Sequence, residues 1–244
     1  MVVLANLAYI WTWKGTKLIM TFRSIAIDGP AGAGKSTISK AVAKQLEYVY
    51  IDTGAMYRAV ALYAIEQGID THNIDGKLAK SLDNIEIDIQ YISGTQHIFL
   101  NGADVSEDIR RPDVSIGASD VAVVPEVRVK LVELQCILAQ KANVIMDGRD
   151  IGTYVLPNAD VKIFLTASAD ERAKRRYTEL EEKGVNCDFE QVKADMIYRD
   201  NNDSSREFAP LKQADDAVLI DTSGKTLQES IDMISDCVRE RLSI

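Results

Sequence analysis

The sequence predicts an α/β domain, a five-stranded parallel sheet with helices on both of its faces. Two observations carry this prediction. Short apolar runs typical of buried parallel strands recur along the chain, and several are followed by segments with the apolar spacing of helices. The composition agrees, because 46% hydrophobic and 27% charged residues in a chain of 244 are ordinary for one or two folded domains. A disordered chain, a collagen-like repeat and a disulfide scaffold are excluded.

The predicted elements alternate along the chain, as expected for a parallel sheet covered on both faces. Strands are predicted at Ser24–Asp28, Tyr48–Asp52, Asn143–Asp147, Val161–Leu165 and Ala217–Ile220. Helices are predicted at Lys35–Leu46, from Ala55 to about Glu66, and from Pro125 towards Lys141. Capping boxes, Ser168 with Glu171 and Thr226 with Glu229, indicate the starts of two more helices.

The alternation is interrupted between about Ile69 and Val124. Isoleucines at 85, 87 and 89 alternate with polar residues, and His97–Leu100 is a second extended run. Asn101 and Gly102 form a strong hairpin-turn signal. This stretch therefore predicts a small antiparallel insertion.

Residues 1–19 are interpreted as a non-native or loose extension, with Met20 as the native start. The first charge is Lys14, and Asn6 interrupts the apolar residues before it. A signal peptide begins with basic residues, and a membrane span needs about 20 apolar residues. Residues 1–19 meet neither requirement, so we expect neither a signal peptide nor a membrane span here.

The charged and reactive residues limit the classes of ligand and partner that we expect for this chain. A net charge of −9 opposes binding to nucleic acid, and the arginines that cluster in this acidic chain favour a small anionic ligand. Cys136, Cys187 and Cys237 are widely spaced, which is typical of reduced thiols in a cytoplasmic protein. His72 and His97 are too far apart to predict a histidine metal site. We expect a monomer without membrane or nucleic-acid partners.

A phosphate-binding motif follows the first predicted strand. Residues 29–36 fit the pattern G-x-x-x-x-G-K-[ST], with a strand before it and a helix after it. Glycines let backbone N–H groups surround a phosphate, a lysine adds charge, and a serine hydroxyl can bind Mg²⁺. The predicted ATP-binding residues are Gly29, Pro30, Ala31, Gly32, Ala33, Gly34, Lys35, Ser36 and Thr37. Ser36 is the expected magnesium ligand, and Asp147 is a second candidate.

The motif favours a small-molecule kinase. The chain has no Asn-Lys-x-Asp guanine-binding motif, which argues against a GTPase, and it is small for a helicase or motor. Two alternatives stay open. One is a kinase for another small acceptor, such as another nucleoside monophosphate or shikimate. The other is a sensor that binds ATP without transferring phosphate.

Three further segments combine arginines with carboxylates: Asp52–Arg58, Asp147–Asp150 and Arg199–Arg206. The first two follow strands, at the edge where open α/β sheets place their ligands. Guanidinium groups suit phosphate oxygens, and carboxylates suit the donors of a base or sugar.

With these segments in place, the chain from about Ser24 onward resembles the bacterial cytidylate kinases. The matching stretches are GPAGAGKST, DTGAMYRA, DGRDIGT, VKIFL with ERAKRR, and RDNNDSSREFAPL. The resemblance implies a P-loop NTPase fold and transfer of phosphate from ATP, with Mg²⁺, to CMP or dCMP. It also implies a core (residues 20–68, 142–176 and 207–244), an insertion that binds the monophosphate (about 69–141) and a helical lid (about 177–206).

The resemblance also implies residue roles. Arg58, Arg149 and Arg199 would hold the acceptor phosphate, with Thr53 and Tyr57 nearby. Arg128, Asp150 and Arg206 would read cytosine, with Ser119 nearby, and Asp203 would bind the sugar hydroxyls. The expected catalytic set is Lys35, Arg149, Arg172, Arg176 and Arg199; at least one lid arginine, Arg175 included, would reach the transferred group. Gly184 would be a flexible point of the lid or an ordinary helix C-cap.

Overall fold

The computed structural model describes residues 22–74 and 76–244, and the backbone of Tyr9–Trp13 and Thr16–Met20. These described residues form ten strands: β1 (Tyr9–Trp13), β2 (Thr16–Met20), β3 (Ser24–Asp28), β4 (Val49–Asp52), β5 (Ile87–Ile92), β6 (Thr95–Leu100), β7 (Ala103–Asp104), β8 (Val144–Gly148), β9 (Val161–Thr166) and β10 (Val218–Asp221). They also form eight α-helices: α1 (Lys35–Leu46), α2 (Thr53–Glu66), α3 (Lys77–Ser81), α4 (Pro112–Val121), α5 (Pro125–Ala139), α6 (Ala169–Glu182), α7 (Phe189–Ser205) and α8 (Leu227–Leu242).

The central sheet has the strand order β10-β9-β3-β8-β4, and every pair in it is parallel. The predicted five-stranded parallel sheet is therefore confirmed. β3 lies in the middle, and its last four residues are buried. Parallel pairing brings the carboxyl ends of β3, β4 and β8 to one edge, so the segments after Asp28, Asp52 and Gly148 meet there.

Helices cover both faces of this sheet, as predicted. Ile25 and Ile27 pack in one buried cluster with residues of α1 and α8, whereas Ala26 belongs to a second cluster with α2, α4 and α5. Alternate strand residues face opposite sides, so the two clusters lie on the two faces. Each large apolar side chain buried in this way contributes about 1.5–3 kcal/mol to folding.

The stretch between residues 69 and 124 is only partly antiparallel. A separate sheet of order β5-β6-β7 is antiparallel throughout, and Asn101–Gly102 forms the turn between β6 and β7. The helix α4 was not predicted. Its apolar pattern is weak because small residues pack against α2. A Cβ at Gly117 would lie 3.3 Å from the Cβ of Ala61.

Local hydrogen bonds explain where two helices begin. α2 begins at Thr53 rather than Ala55, because the Asp52 carboxylate accepts the N–H of Ala55 at 2.9 Å. The capping box at Thr226 is complete. The one predicted at Ser168 is half formed, because the Glu171 carboxylate accepts the N–H of Gly224 instead.

The predicted helical lid corresponds to α7 and the second half of α6. These helices share a small buried cluster of Ala173, Leu180, Val192 and Met196. Gly184 has φ +72° and follows the end of α6, and its N–H donates to Glu181 O. This geometry is typical of a glycine at a helix C-cap, the second of the two interpretations given above.

The prediction that residues 1–19 are an extension stays a prediction, as do the boundaries of insertion and lid. β1 and β2 pair antiparallel, and residues 1–8, 14 and 15 lie outside the described part of the chain. Within the described residues, every helix is too short or too polar to cross a lipid bilayer.

Candidate active site

The loop between β3 and α1 has a shape that glycine makes possible. Gly29 has φ +149°, and a Cβ there would lie 2.0 Å from the backbone oxygen of Leu165. Gly34 has φ +86° and precedes the first turn of α1, whose residues 35–37 line the cleft. A helix start of this kind binds phosphate through free N–H groups and the helix dipole.

Lys35 is held inside this loop by its own backbone. Its Nζ donates to the oxygens of Gly29 and Pro30, both at 2.7 Å. Burial, reinforced by the Arg149 charge, moves the pKa of Lys35 well below its usual range. An anion at the loop would stabilise the charged form of Lys35, because opposite charges favour ionisation.

Ser36 and Asp147 form a pair of oxygen ligands beside the loop. Ser36 Oγ donates to Asp147 Oδ2 at 2.8 Å, and the Tyr50 hydroxyl donates to Asp147 Oδ1 at 2.7 Å. Burial and the nearby Asp52 raise the pKa of Asp147. Within the described residues, no three His, Cys, Asp or Glu side chains form a metal-binding group. Two hard oxygen ligands beside a phosphate loop fit Mg²⁺, which takes its remaining ligands from water and phosphate.

A cleft of about 270 Å³ connects this loop with a group of arginines. The arginines come from six separate elements or turns, which the sheet edge and the lid bring together. They are Arg58, Arg110, Arg128, Arg149, Arg199 and Arg206, with Arg176 at the lid side.

Asp52 and Asp203 each hold arginines in the middle of the cleft. Asp52 Oδ2 accepts from Arg58 at 2.8 Å and from Arg110 at 3.3 Å. Asp203 accepts from Arg149 Nε at 2.6 Å and from Ser119 Oγ at 3.2 Å. Burial alone would raise the pKa of Asp203, but the surrounding guanidinium charges outweigh it and lower that pKa.

Arg128 and Asp150 form the deep end of the cleft. Arg128 is fully buried (0% exposed) and donates to Asp150, which also accepts from Arg206 at 3.2 Å. The rings of Tyr57 and Phe208 lie 5.6 and 5.8 Å from the Arg128 guanidinium carbon. Burial raises the pKa of Asp150 despite these two arginines. This end can therefore both donate and accept hydrogen bonds.

Several buried arginine N–H groups in the cleft have no hydrogen-bond partner among the residues that the structure describes. They are Arg58 Nε, Arg128 Nε and Nη1, and Arg199 Nε. Burial and the neighbouring Arg149 charge lower the pKa of Arg199 to about 10. Buried donors without acceptors are costly, so their concentration here points to an anionic ligand that would accept from them.

The lid arginines differ in their surroundings. Arg176 lines the cleft and pairs with Glu179 at 2.8 Å. Arg172 does not line the cleft. Its Nη1 donates to Ala31 O at 2.7 Å and to Asp200 Oδ2 at 2.6 Å. Arg175 donates to the backbone oxygen of Thr222 at 2.7 Å.

The structure brings most of the predicted site residues into one cleft. All ten predicted acceptor residues line it, as do residues 31–37, Asp147, Arg149, Arg176 and Arg199. Gly29, Pro30 and Arg172 do not line it. Gly29 and Pro30 hold Lys35 through their backbone oxygens, and Arg172 holds the loop against the lid.

Sequence reasoning assigned no role in the site to three participants, although Asp52 belongs to a segment that it singled out. Asp52 and Arg110 lie 58 residues apart and meet at the cleft. Asp28 accepts the N–H groups of Ile151 at 2.8 Å and Gly152 at 2.7 Å, and thereby fixes the turn after Arg149. An aspartate that ends an apolar strand directly before the glycine loop was the available sequence signal for Asp28.

Known proteins of similar sequence identify the family of this chain. The sequence profile of the family "Cytidylate kinase" matches residues 25–240. A cytidylate kinase of Caldicellulosiruptor saccharolyticus is 54% identical over 86% of this chain and 93% of its own length. One of Bacillus cytotoxicus is 53% identical over 90% of this chain and 97% of its own length. One of Alkaliphilus metalliredigens is 49% identical over 88% and 96%, respectively. The chain belongs to the cytidylate kinase family.

Proposed function

We propose that this chain transfers the γ-phosphoryl group of ATP to CMP or dCMP, producing ADP and CDP or dCDP. The observation that carries the proposal is the set of buried, unpartnered N–H groups of Arg58, Arg128 and Arg199 in the cleft next to the phosphate loop. A second anion beside a bound ATP would satisfy those donors, and a nucleoside monophosphate supplies both an anion and a base.

The donor end of the cleft is the glycine loop with Lys35. Backbone N–H groups of residues 32–37 would bind the β- and γ-phosphates, with the Lys35 ammonium beside them. Ser36 and Asp147 would hold Mg²⁺, directly or through water. When bound, that ion neutralises charge on the phosphate oxygens.

The acceptor phosphate would lie against Arg58, Arg149 and Arg199. Two of these arginines are already oriented by carboxylates, Arg58 by Asp52 and Arg149 by Asp203. Orientation before binding reduces the entropy lost when the phosphate is bound. The Nε of Arg199 makes no hydrogen bond within the described part of the chain, so it is free to donate to the phosphate.

The base would bind at the deep end and the sugar beside α7. Cytosine has an amino group that donates, and ring N3 and O2 atoms that accept. Asp150 can accept from the amino group, and Arg128 and Arg206 can donate to N3 and O2, with Ser119 nearby. Uracil has an oxygen where cytosine has the amino group, so Asp150 would face an acceptor and favour CMP over UMP. Asp203 would accept from the sugar hydroxyls.

The reaction needs positioning and charge neutralisation. An oxygen of the CMP phosphate attacks the γ-phosphorus in line, a new O–P bond forms, and the bond to the β–γ bridging oxygen breaks, releasing ADP. Lys35, Arg149, Arg176 and Arg199 surround the transferred group and stabilise the charge on its oxygens. Arg172 supports this geometry by holding α7 against the loop. Since water is a competing acceptor, closure of α6 and α7 over both nucleotides would exclude it.

The proposal is tested by offering ATP and Mg²⁺ with CMP, dCMP, UMP, AMP, GMP and dTMP separately, and separating the nucleotide products by ion-exchange chromatography. The highest kcat/KM with CMP or dCMP would support it. Preference for another acceptor would keep a kinase and overturn the roles of Asp150 and Arg206. Binding of ATP without any transfer would overturn the kinase. The proposal includes a monomer in the cytoplasm, which gel filtration and cell fractionation test.

A further inference from the structure

Asp120 is a buried carboxylate that the roles above do not use. It lies on α4 with 3% of its surface exposed, directly after Ser119. Its Oδ1 accepts from the Tyr198 hydroxyl at 2.8 Å and from Asn202 Nδ2 at 3.2 Å. His72 Nδ1 lies 3.1 Å from its Oδ2, and the His72 ring is 61% exposed. One carboxylate thus joins α4 to α7, with a loop side chain on its outer side.

Three pairs of α7 residues, the members of each four positions apart, face three neighbours of this helix. They are Met196 with Asp200 toward the glycine loop, Arg199 with Asp203 toward the acceptor cleft, and Tyr198 with Asn202 toward Asp120. Residues four apart lie on the same helix face, and each residue turns the helix by about 100°. The Arg199–Asp203 face therefore lies between the two anchored faces.

Both anchors of α7 are built from specific hydrogen bonds. On the loop side, Asp200 accepts the N–H of Ala31 at 2.9 Å. On the α4 side, Asp120 accepts from two α7 side chains, and the adjacent Ser119 donates to Asp203 at 3.2 Å. Loss of the Asp120 anchor would let α7 rotate and draw Arg199 and Asp203 from the positions that the acceptor needs.

We infer that Asp120 is a positioning residue of the acceptor site: through Tyr198 and Asn202 it holds α7 in the orientation that directs Arg199 and Asp203 at the nucleoside monophosphate. The inference rests on the proposed function, because the affected ligand is CMP. Asp120 itself touches neither substrate nor the transferred group. Its effect is expected on acceptor binding more than on ATP binding.

The test compares KM for CMP, KM for ATP and kcat in Tyr198→Phe, Asp120→Ala and Asp120→Asn. Tyr198→Phe removes one hydroxyl from a half-exposed ring and is expected to raise KM for CMP about fivefold, with KM for ATP within about twofold. Asp120→Ala should raise KM for CMP about 30-fold, and Asp120→Asn, which keeps one acceptor oxygen, should recover most of that loss.

Tyr177→Phe is the matched control. Tyr177 lies on α6, packs against Phe189 and hydrogen-bonds Glu181 of its own helix, so the same substitution there leaves the α4–α7 contact intact. We expect wild-type constants from it. In a double-mutant cycle, Tyr198→Phe should cost less once Asp120 is alanine than it does in wild type. The bond to Asp120 is then already lost, and the hydroxyl keeps only its 3.3 Å contact with His72 Nδ1.

The outcomes separate this inference from the proposed function. Wild-type protein inactive on CMP would overturn the proposed function, and the inference with it. Active wild type with an unchanged KM for CMP in Tyr198→Phe and Asp120→Ala would overturn the inference alone. A lower melting temperature with unchanged KM would show that the contact only stabilises the fold. If Asp120→Ala does not fold, Tyr198→Phe and Asp120→Asn decide.

Discussion

The proposed donor and acceptor ends of the cleft are built in different ways. The donor end consists mainly of one continuous segment, residues 29–37, whose backbone forms the cradle. The proposed acceptor end consists of charged side chains from α2, α5, α7 and the turn after β8, with serines from α4. A backbone cradle needs only a strand, glycines and a helix start. A side-chain site needs every contributing element in its correct place, so its residues depend on one another and on the fold.

This difference predicts separate effects for the two ends, of which the largest is at the donor end. Lys35→Ala removes the ammonium that we propose to lie beside the transferred phosphoryl, and should lower kcat about 10³-fold with KM for CMP little changed. Lys44→Ala, at an exposed position of the same helix, is the control. Steady-state kinetics and circular dichroism check the result. Turnover near the wild-type value would remove Lys35 from the reaction.

The acceptor end should respond in KM instead. Arg206→Ala leaves the buried Asp150 with one arginine fewer. It also removes the side chain that we propose as a donor to cytosine. We expect KM for CMP to rise about 100-fold, KM for ATP to stay near the wild-type value, and the preference for CMP over UMP to shrink. Kinetics with each acceptor check this. Equal increases of both KM values would place Arg206 outside the base-binding role.

Arg172 connects the two ends, so its loss should affect both. Without the bonds to Ala31 and Asp200, the loop and α7 lose a common anchor. Arg172→Ala should raise KM for ATP and KM for CMP by similar factors of about ten, whereas Lys174→Ala, exposed on the same helix, should change neither. A fall in kcat alone would mean that Arg172 reaches the transferred phosphoryl group.

The smallest expected effect is that of Asp28 on the free energy of unfolding and on its pH dependence. Burial raises the pKa of Asp28 from 3.8 to about 7. Between about pH 4 and pH 7 this residue binds more protons in the folded chain than in the unfolded chain. Its contribution to the free energy of unfolding therefore falls as pH rises through this range, and it is constant above about pH 7.

Asp28→Asn should remove that slope. The free energies of unfolding of wild type and variant are compared by urea unfolding at pH 5, 6, 7 and 8. The wild-type value should fall relative to that of the variant up to about pH 7, and the difference should then be constant. Asp236→Asn, at an exposed position of α8, should run parallel to wild type. A parallel curve for Asp28→Asn as well would contradict a raised pKa at Asp28.

The same contrast explains what the sequence could predict. The glycine loop and the five strands are local patterns, and all were predicted to within about a residue or two. Arg128, Ser119 and Asp203 were placed by resemblance, because nothing local distinguishes them from surface or core residues. The Asp120–Tyr198 and Asp28–Ile151 bonds join residues 78 and 123 positions apart. Such contacts depend on how the elements pack, which composition and periodicity do not encode.

Isothermal titration of CMP into wild type, Lys35→Ala and Arg206→Ala tests the central claim most directly, namely that the two ends bind two different nucleotides. We expect Lys35→Ala to bind CMP as wild type does and Arg206→Ala to lose about 100-fold in affinity. CMP binding that is lost in Lys35→Ala and kept in Arg206→Ala would contradict the assignment of the two ends.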